Sequence, residues 1–143
     1  MFKLFITTVF FTTVLSAAIF RQNSQDVVVD SSRSLMWQDS IENVKVEKSH
    51  EDALAYCDEL IFAGYTNWRL PTAQEYKTIV NKSNEKNYIN YAFKYNLPKG
   101  YWAHKAHWRT LWFYADYMNF ISGTVYFDSR HKKKSVRCVR DMR

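Results

Sequence analysis

The sequence predicts one α+β domain, with two helices early and a twisted antiparallel sheet late. Three observations carry this. Two capped, helix-periodic segments lie mid-chain, at 49–64 and 72–81. Short apolar or alternating runs precede and follow them. Glycine and proline number only three and two, so each one present marks a boundary. The length of 143 residues suits one domain, and 47% hydrophobic with 17% aromatic residues supplies a core, which argues against disorder.

Taken in order, the chain opens on Lys3, an apolar run over 4–20 and the small residues Ser16, Ala17 and Ala18. This is the pattern of a secretory signal peptide over 1–18, cut after Ala17 or Ala18. The competing reading is an uncleaved membrane anchor, for which 17 residues with four threonines are marginal. No cysteine follows, so a lipid anchor is not supported. Export places the protein in the periplasm, at the cell surface or outside the cell, and there two cysteines, Cys57 and Cys138, read as one disulfide. Closing so long a loop is worth about 4–5 kcal/mol in the chain-entropy model. No Cys-x-x-Cys exists, so thiol oxidoreductase and four-cysteine zinc chemistry are unsupported. Residues 19–25 read as a polar linker and 26–143 as the domain.

Val27-Val28-Val29 and Leu35-Met36-Trp37-Gln38 read as short strands joined by a turn at Asp30-Ser31-Ser32-Arg33. Val44-Lys45-Val46-Glu47 alternates and suits either strand or loop. Ser49 with Asp52 three residues on starts the first helix. Its buried stripe is Ala53, Leu54, Cys57, Leu60 and Ile61, and Gly64 is its stop. Thr72 with Glu75 caps the second helix, whose apolar face is Tyr76, Ile79 and Val80. Residues 82–99 show no period and read as a long loop. Strand-like runs follow at 101–103, 110–115, 119–121, 124–127 and 135–139, with a hairpin turn at Ser122-Gly123.

These pieces together resemble one family. Leu35-Met36-Trp37-Gln38, Ala53-Leu54-Ala55-Tyr56-Cys57, Gly64-Tyr65, Asn67-Trp68-Arg69-Leu70-Pro71-Thr72 with Glu75, Phe120 with Gly123, and Val136-Arg137-Cys138-Val139-Arg140 stand in the order seen in the Lcl C-terminal domain family of bacterial exported proteins. The resemblance runs from about Val27 to Arg140. It implies a C-type-lectin-like fold related to that of the formylglycine-generating enzyme, and the pairing of a first-helix cysteine with a last-strand cysteine fits it. Trp37, Trp68, Arg69, Pro71, Trp102, Gly123 and Arg137 are its structural signature in this chain. Tyr101-Trp102 is followed here by Ala103-His104, where the family usually continues with serines. A family role for those hydroxyls does not transfer.

Candidate sites are weighed against plain structural roles. Trp68 and Arg69 could line a ligand site, but a Trp beside Leu and Pro is core-like and Arg braces loops. The basic run Arg130, His131, Lys132, Lys133 and Lys134 could meet polyanions, although such runs are more often solvated connections. Twelve aromatics lie between Tyr88 and Phe120, and Trp112-Phe113-Tyr114 cannot all enter one core from a strand. Tyr88, Tyr91 and Tyr95, in the polar loop, are the expected exposed ones. His104, His107 and His131 lack companion ligands at zinc spacing, and no acid-rich calcium loop exists. Asn81-Lys82-Ser83 fits a glycosylation triplet that carries little weight in a bacterial-type export context.

The expectation is a non-catalytic exported binding or adhesion module without a cofactor. Its partner is an anionic glycan or an envelope protein, not a specific nucleic acid, and it meets a membrane only through a retained leader. The net charge of +6 agrees with an anionic partner and names none. The alternatives are a structural component of an envelope assembly and, less favoured, an enzyme resembling the formylglycine-generating enzyme, whose chemistry needs two nearby cysteines late in the chain.

Overall fold

The computed structural model describes residues 18–143 and Val9. The signal peptide expected over 1–18 lies outside them, apart from Val9 and Ala18. The described fold is α+β. Four strands form one antiparallel sheet: β1 (Ile19–Gln22), β2 (Val27–Asp30), β3 (Leu35–Gln38) and β9 (Val139–Asp141), in the order β1-β2-β3-β9. Three helices follow β3 in the chain: α1 (Glu42–Lys45), α2 (His50–Glu59) and α3 (Ala73–Ile79). The second sheet has the order β4-β8-β5-β6-β7, from β4 (Glu47–Lys48), β5 (Gly100–Ala106), β6 (Tyr114–Asn119), β7 (Thr124–Ser129) and β8 (Lys134–Ser135). Its β5–β8 pairing is parallel and the rest antiparallel.

The run Val27-Val28-Val29 does not alternate because the first sheet is a partition with a core on each side. Val28, Leu35, Trp37 and Val139 enter one core with Tyr76, Ile79 and Phe120. Val27, Val29 and Met36 enter the other with Ala53, Cys57, Trp68 and Cys138. Successive side chains of a strand point to opposite faces, so a strand buried on both sides reads as continuously apolar. Strand β5 does the same, sending Tyr101 and Ala103 one way and Trp102 the other. The Cys57–Cys138 disulfide ties α2 to the residue preceding β9.

Both expected caps form. Ser49 Oγ accepts from the Asp52 N–H, and Thr72 with Glu75 makes a complete capping box. Several expectations change. Residues 19–22, read as linker, are strand β1, because the Arg21 charge is satisfied at 2.8 Å by both Asp26 and Asp39 while Ile19 packs against the core. Gly64 does not stop α2, which ends at Glu59 with Leu60 as its cap. Gly64 and Ala63 both have positive φ and make the tight turn that pairs Phe62 with Tyr65, leaving Ile61 exposed. The 110–115 run is mostly not strand: Trp108–Thr110 is a 3-10 turn and β6 starts at Tyr114. Residues 119–121 are where β6 ends and its turn begins, and 135–139 splits into β8 and β9.

Candidate functional site

The 64–72 joint is a brace. Trp68 is buried and donates its indole N–H to the Phe62 and Tyr65 carbonyls. Arg69 grips Glu75 through two bonds of 2.7 and 2.8 Å and reaches Asp141 at 3.2 Å, while its backbone pairs with Val139. Burial would raise the Glu75 carboxyl, but bonds from Arg69 and the Thr72 N–H hold it below its ordinary value. Pro71 is buried and its carbonyl accepts the His104 N–H.

Arg137 and Asp39 form a second brace, and both side chains are wholly buried. Arg137 donates to the Gln38 and Tyr95 carbonyls and to Asn96 Oδ1, and lies over the rings of Phe93 and Tyr101. Asp39 accepts from Arg137 at 3.3 Å, from Arg21, and from the Lys94 and Tyr95 N–H groups. The 82–99 loop is thereby fastened to the sheet. Of its three candidate tyrosines, Tyr91 alone is exposed, at 69%. Tyr88 is partly buried near Gly123, and Tyr95 is partly buried beneath the cations of Arg21 and Lys94. Anchoring by Asp39 turns this loop inward, which its polar composition did not signal.

The basic run is largely committed within the protein. Asp128 takes Lys132 at 3.1 Å and Lys134 at 2.9 Å. Burial would raise its carboxyl, but these bonds lower it to about 2. Lys134 also lies over the rings of Tyr117 and Trp102. Arg130 donates to His50 Nδ1 at 2.9 Å, and His50 Nε2 faces the Ala103 carbonyl at 2.9 Å. This fixes a neutral imidazole with its proton on Nε2. Burial, together with the Arg130 charge and against the Ala103 bond, lowers the His50 pKa. His131 and Lys133 remain exposed.

The feature that sequence reasoning underrated is the β5–β6 loop. Trp108, Leu111, Trp112 and Phe113 are 62, 78, 56 and 55% exposed. Leu111 and Trp112 have φ of 52° and 65°. A left-handed backbone costs a side-chain-bearing residue about 1–2 kcal/mol. Here that cost accompanies a turn that places large apolar groups in water. Arg130 links the two loops, donating its N–H to the Phe113 carbonyl and its guanidinium to the Trp112 carbonyl. A shallow pocket of about 230 Å³ lies between them, lined by Ser49, Glu51, Leu111, Trp112, Phe113, Arg130 and His131. The three consecutive aromatics 112–114 offered a signal, but Leu111 and Trp112 are not residue types that announce a left-handed turn.

The model of the Lcl C-terminal domain matches residues 26–140. The chain belongs to the Lcl C-terminal domain family. No curated protein and no solved structure gives a match. The family span starts just before β2 and ends within β9, so β1 lies outside the Lcl C-terminal domain match and completes its first sheet. Among the described residues of this Lcl C-terminal domain, no group of three His, Cys, Asp or Glu could hold a metal ion. His104 and His131 are exposed, while His107 pairs with Asp116 at 2.5 Å. What the tip formed by the β5–β6 loop offers chemically is ring faces and cations, suited to stacking and charge contact.

Proposed function

We propose that this chain is a non-catalytic exported binding module, on a C-type-lectin-like scaffold, that engages an anionic component of the cell envelope. Anionic glycans are one class that suits it. One observation carries the reading: large aromatic rings stand exposed on a domain with exposed cations that have no carboxylate partner among the described residues. Arg109 lies over the Trp108 ring, and Lys105 and Lys133 are exposed. Rings stack on sugar faces, while guanidinium and ammonium groups meet sulfate, phosphate or carboxylate. The disulfide agrees with an oxidising compartment, periplasm or cell surface. The absence of a free thiol argues against chemistry like that of the formylglycine-generating enzyme, because both cysteines are used in the bond.

Heparin-column retention tests the reading. A Lys105→Ala, Arg109→Ala, Lys133→Ala variant is expected to elute at clearly lower salt than the native chain. A Lys132→Ala, Lys134→Ala variant should elute less far from native, because both lysines are already paired with Asp128. Elution of the first variant together with the native chain would end the proposal. The same exposed rings favour a second reading, docking as a structural part of an envelope protein assembly. Cross-linking in envelope extract that is lost in Trp108→Ser would support it.

A further inference from the structure

We infer that the β5–β6 tip is a membrane-interface wedge, which seats Trp108, Leu111, Trp112 and Phe113 among the headgroups and upper acyl chains of an anionic lipid bilayer. The inference rests on the reading of this face as one that binds an anionic envelope component, and names that component.

Three features select lipid. The first is composition. Two tryptophans, a leucine and a phenylalanine stand exposed within six residues of chain, and Trp is the residue best suited to the boundary between headgroup and acyl chain. The second is backbone bookkeeping, since an N–H entering an apolar phase must already be paired. The N–H groups of Thr110, Leu111, Trp112 and Phe113 all donate inside the tip, to the carbonyls of His107, Trp108, His107 and Thr110. The Trp112 and Phe113 carbonyls are taken by Arg130. The third is charge. From His104 to Ala115 the only formal charges are Lys105 and Arg109, both positive. Glu51, at the α2 side of the tip pocket, is the one carboxylate lining it. Apolar insertion flanked by exposed cations is how an interfacial segment selects anionic lipid.

The left-handed residues fit this role. An unstrained turn at 111–112 would accept Asn or Gly, so Leu and Trp there trade local comfort for exposed apolar surface. Among the described residues no helix is long and apolar enough to cross a membrane, so the tip would hold the domain on a surface without spanning it.

The protein carries its own reporter. Of its five tryptophans, Trp37, Trp68 and Trp102 are buried, and Trp108 and Trp112 are at the tip. Residues 1–18 contain no tryptophan, so anchoring through them produces no tryptophan signal. The full chain is mixed with vesicles of acyl-brominated phosphatidylcholine, with or without phosphatidylglycerol, and tryptophan quenching is followed. Quenching with a blue shift is expected on the anionic vesicles, weakening with salt and falling roughly fivefold in apparent affinity for each of Lys105 and Arg109 changed to Ala. Leu111→Asp with Phe113→Asp keeps both reporters, and Asp is tolerated at the left-handed position, so folding survives while quenching should vanish. Unquenched native tryptophans, equal quenching on neutral vesicles, or quenching that survives the double Asp change would each overturn the inference. If quenching is absent while heparin retention still depends on Arg109 and Lys133, the lipid assignment falls and the binding face stands. If both are absent, both fall.

Discussion

Asp39 is the most informative single residue to remove. Its side chain is wholly inaccessible and accepts from Arg137, Arg21 and the Lys94 and Tyr95 N–H groups. In Asp39→Ala the Arg137 guanidinium stays buried with no counter-charge, and two backbone donors lose their acceptor. Breaking a buried pair from one side costs about 3–5 kcal/mol. With an unfolding entropy of about 2.1 cal/mol/K per residue, the 126 residues from 18 to 143 give about 0.26 kcal/mol per kelvin. The melting temperature should therefore drop by about 11–19 °C. Asp39→Asn keeps one carbonyl oxygen and should lose roughly half as much. Combining Asp39→Asn with Arg137→Met should cost less than the two single changes added, by about 1–3 kcal/mol. Differential scanning calorimetry measures these values, and amide exchange at Lys94 and Tyr95 reports whether the loop is released. An Asp39→Ala cost below about 1 kcal/mol, with exchange at those amides unchanged, would refute the account of how the 82–99 loop is held.

Other outcomes follow from single features. Replacing both Cys57 and Cys138 by Ala should cost about 4.5 kcal/mol for a separation of 81 residues, read as the shift in urea-unfolding free energy. His50 is held neutral with a lowered pKa, so its contribution is complete above 6.5. It is lost as pH falls from 6.5 through the lower folded value, because the unfolded chain takes the proton first. Urea midpoints of a His50→Gln variant should therefore fall less steeply over this acid range, and parallel curves would contradict the assignment. A Cβ at Gly123 would sit 2.9 Å from Val80 Cγ1 at φ +67°, whereas one at Gly64 meets nothing within 4 Å at φ +81°. Gly123→Ala should cost about 1–2 kcal/mol, and thermal melts should rank it as more damaging than Gly64→Ala.

The starts of α2 and α3 were legible because a cap is a local hydrogen-bond contract between residues three apart, as at Ser49–Asp52 and Thr72–Glu75. By contrast α1, in part of the stretch read as strand or loop, begins after Ile41 with no side-chain cap to announce it. The pairing of two cysteines in an exported chain was legible because redox context limits the choices. Strand β1 was hidden because its Arg21 is satisfied by Asp26 and Asp39, and Asp39 is 18 residues away. Gly64 was misassigned because a glycine after a helix serves a cap and a tight turn equally well. The candidate face was only partly legible. Alternation excluded a common core for Trp112, Phe113 and Tyr114, but no residue type foretold the left-handed turn. The basic run looked freer in sequence than it is, since Asp128 and His50 engage it only once the strands pair.

The first sheet also sets how the domain would carry a pull. Ile19, Asp30, Leu35 and Asp141 form one row across its four strands, so the chain comes in and goes out at the same end of the sheet. Opposed forces on the two ends would peel β1 and β9 one hydrogen-bonded rung at a time. The tear on the β9 side halts at Cys138, where tension crosses the disulfide to Cys57 and bypasses everything between them. Strands β5 to β8 of the second sheet, the 82–99 loop and the aromatic tip all lie in that bypassed stretch. A tethered molecule could thus lose its outermost strands under shear and keep its gripping surface whole.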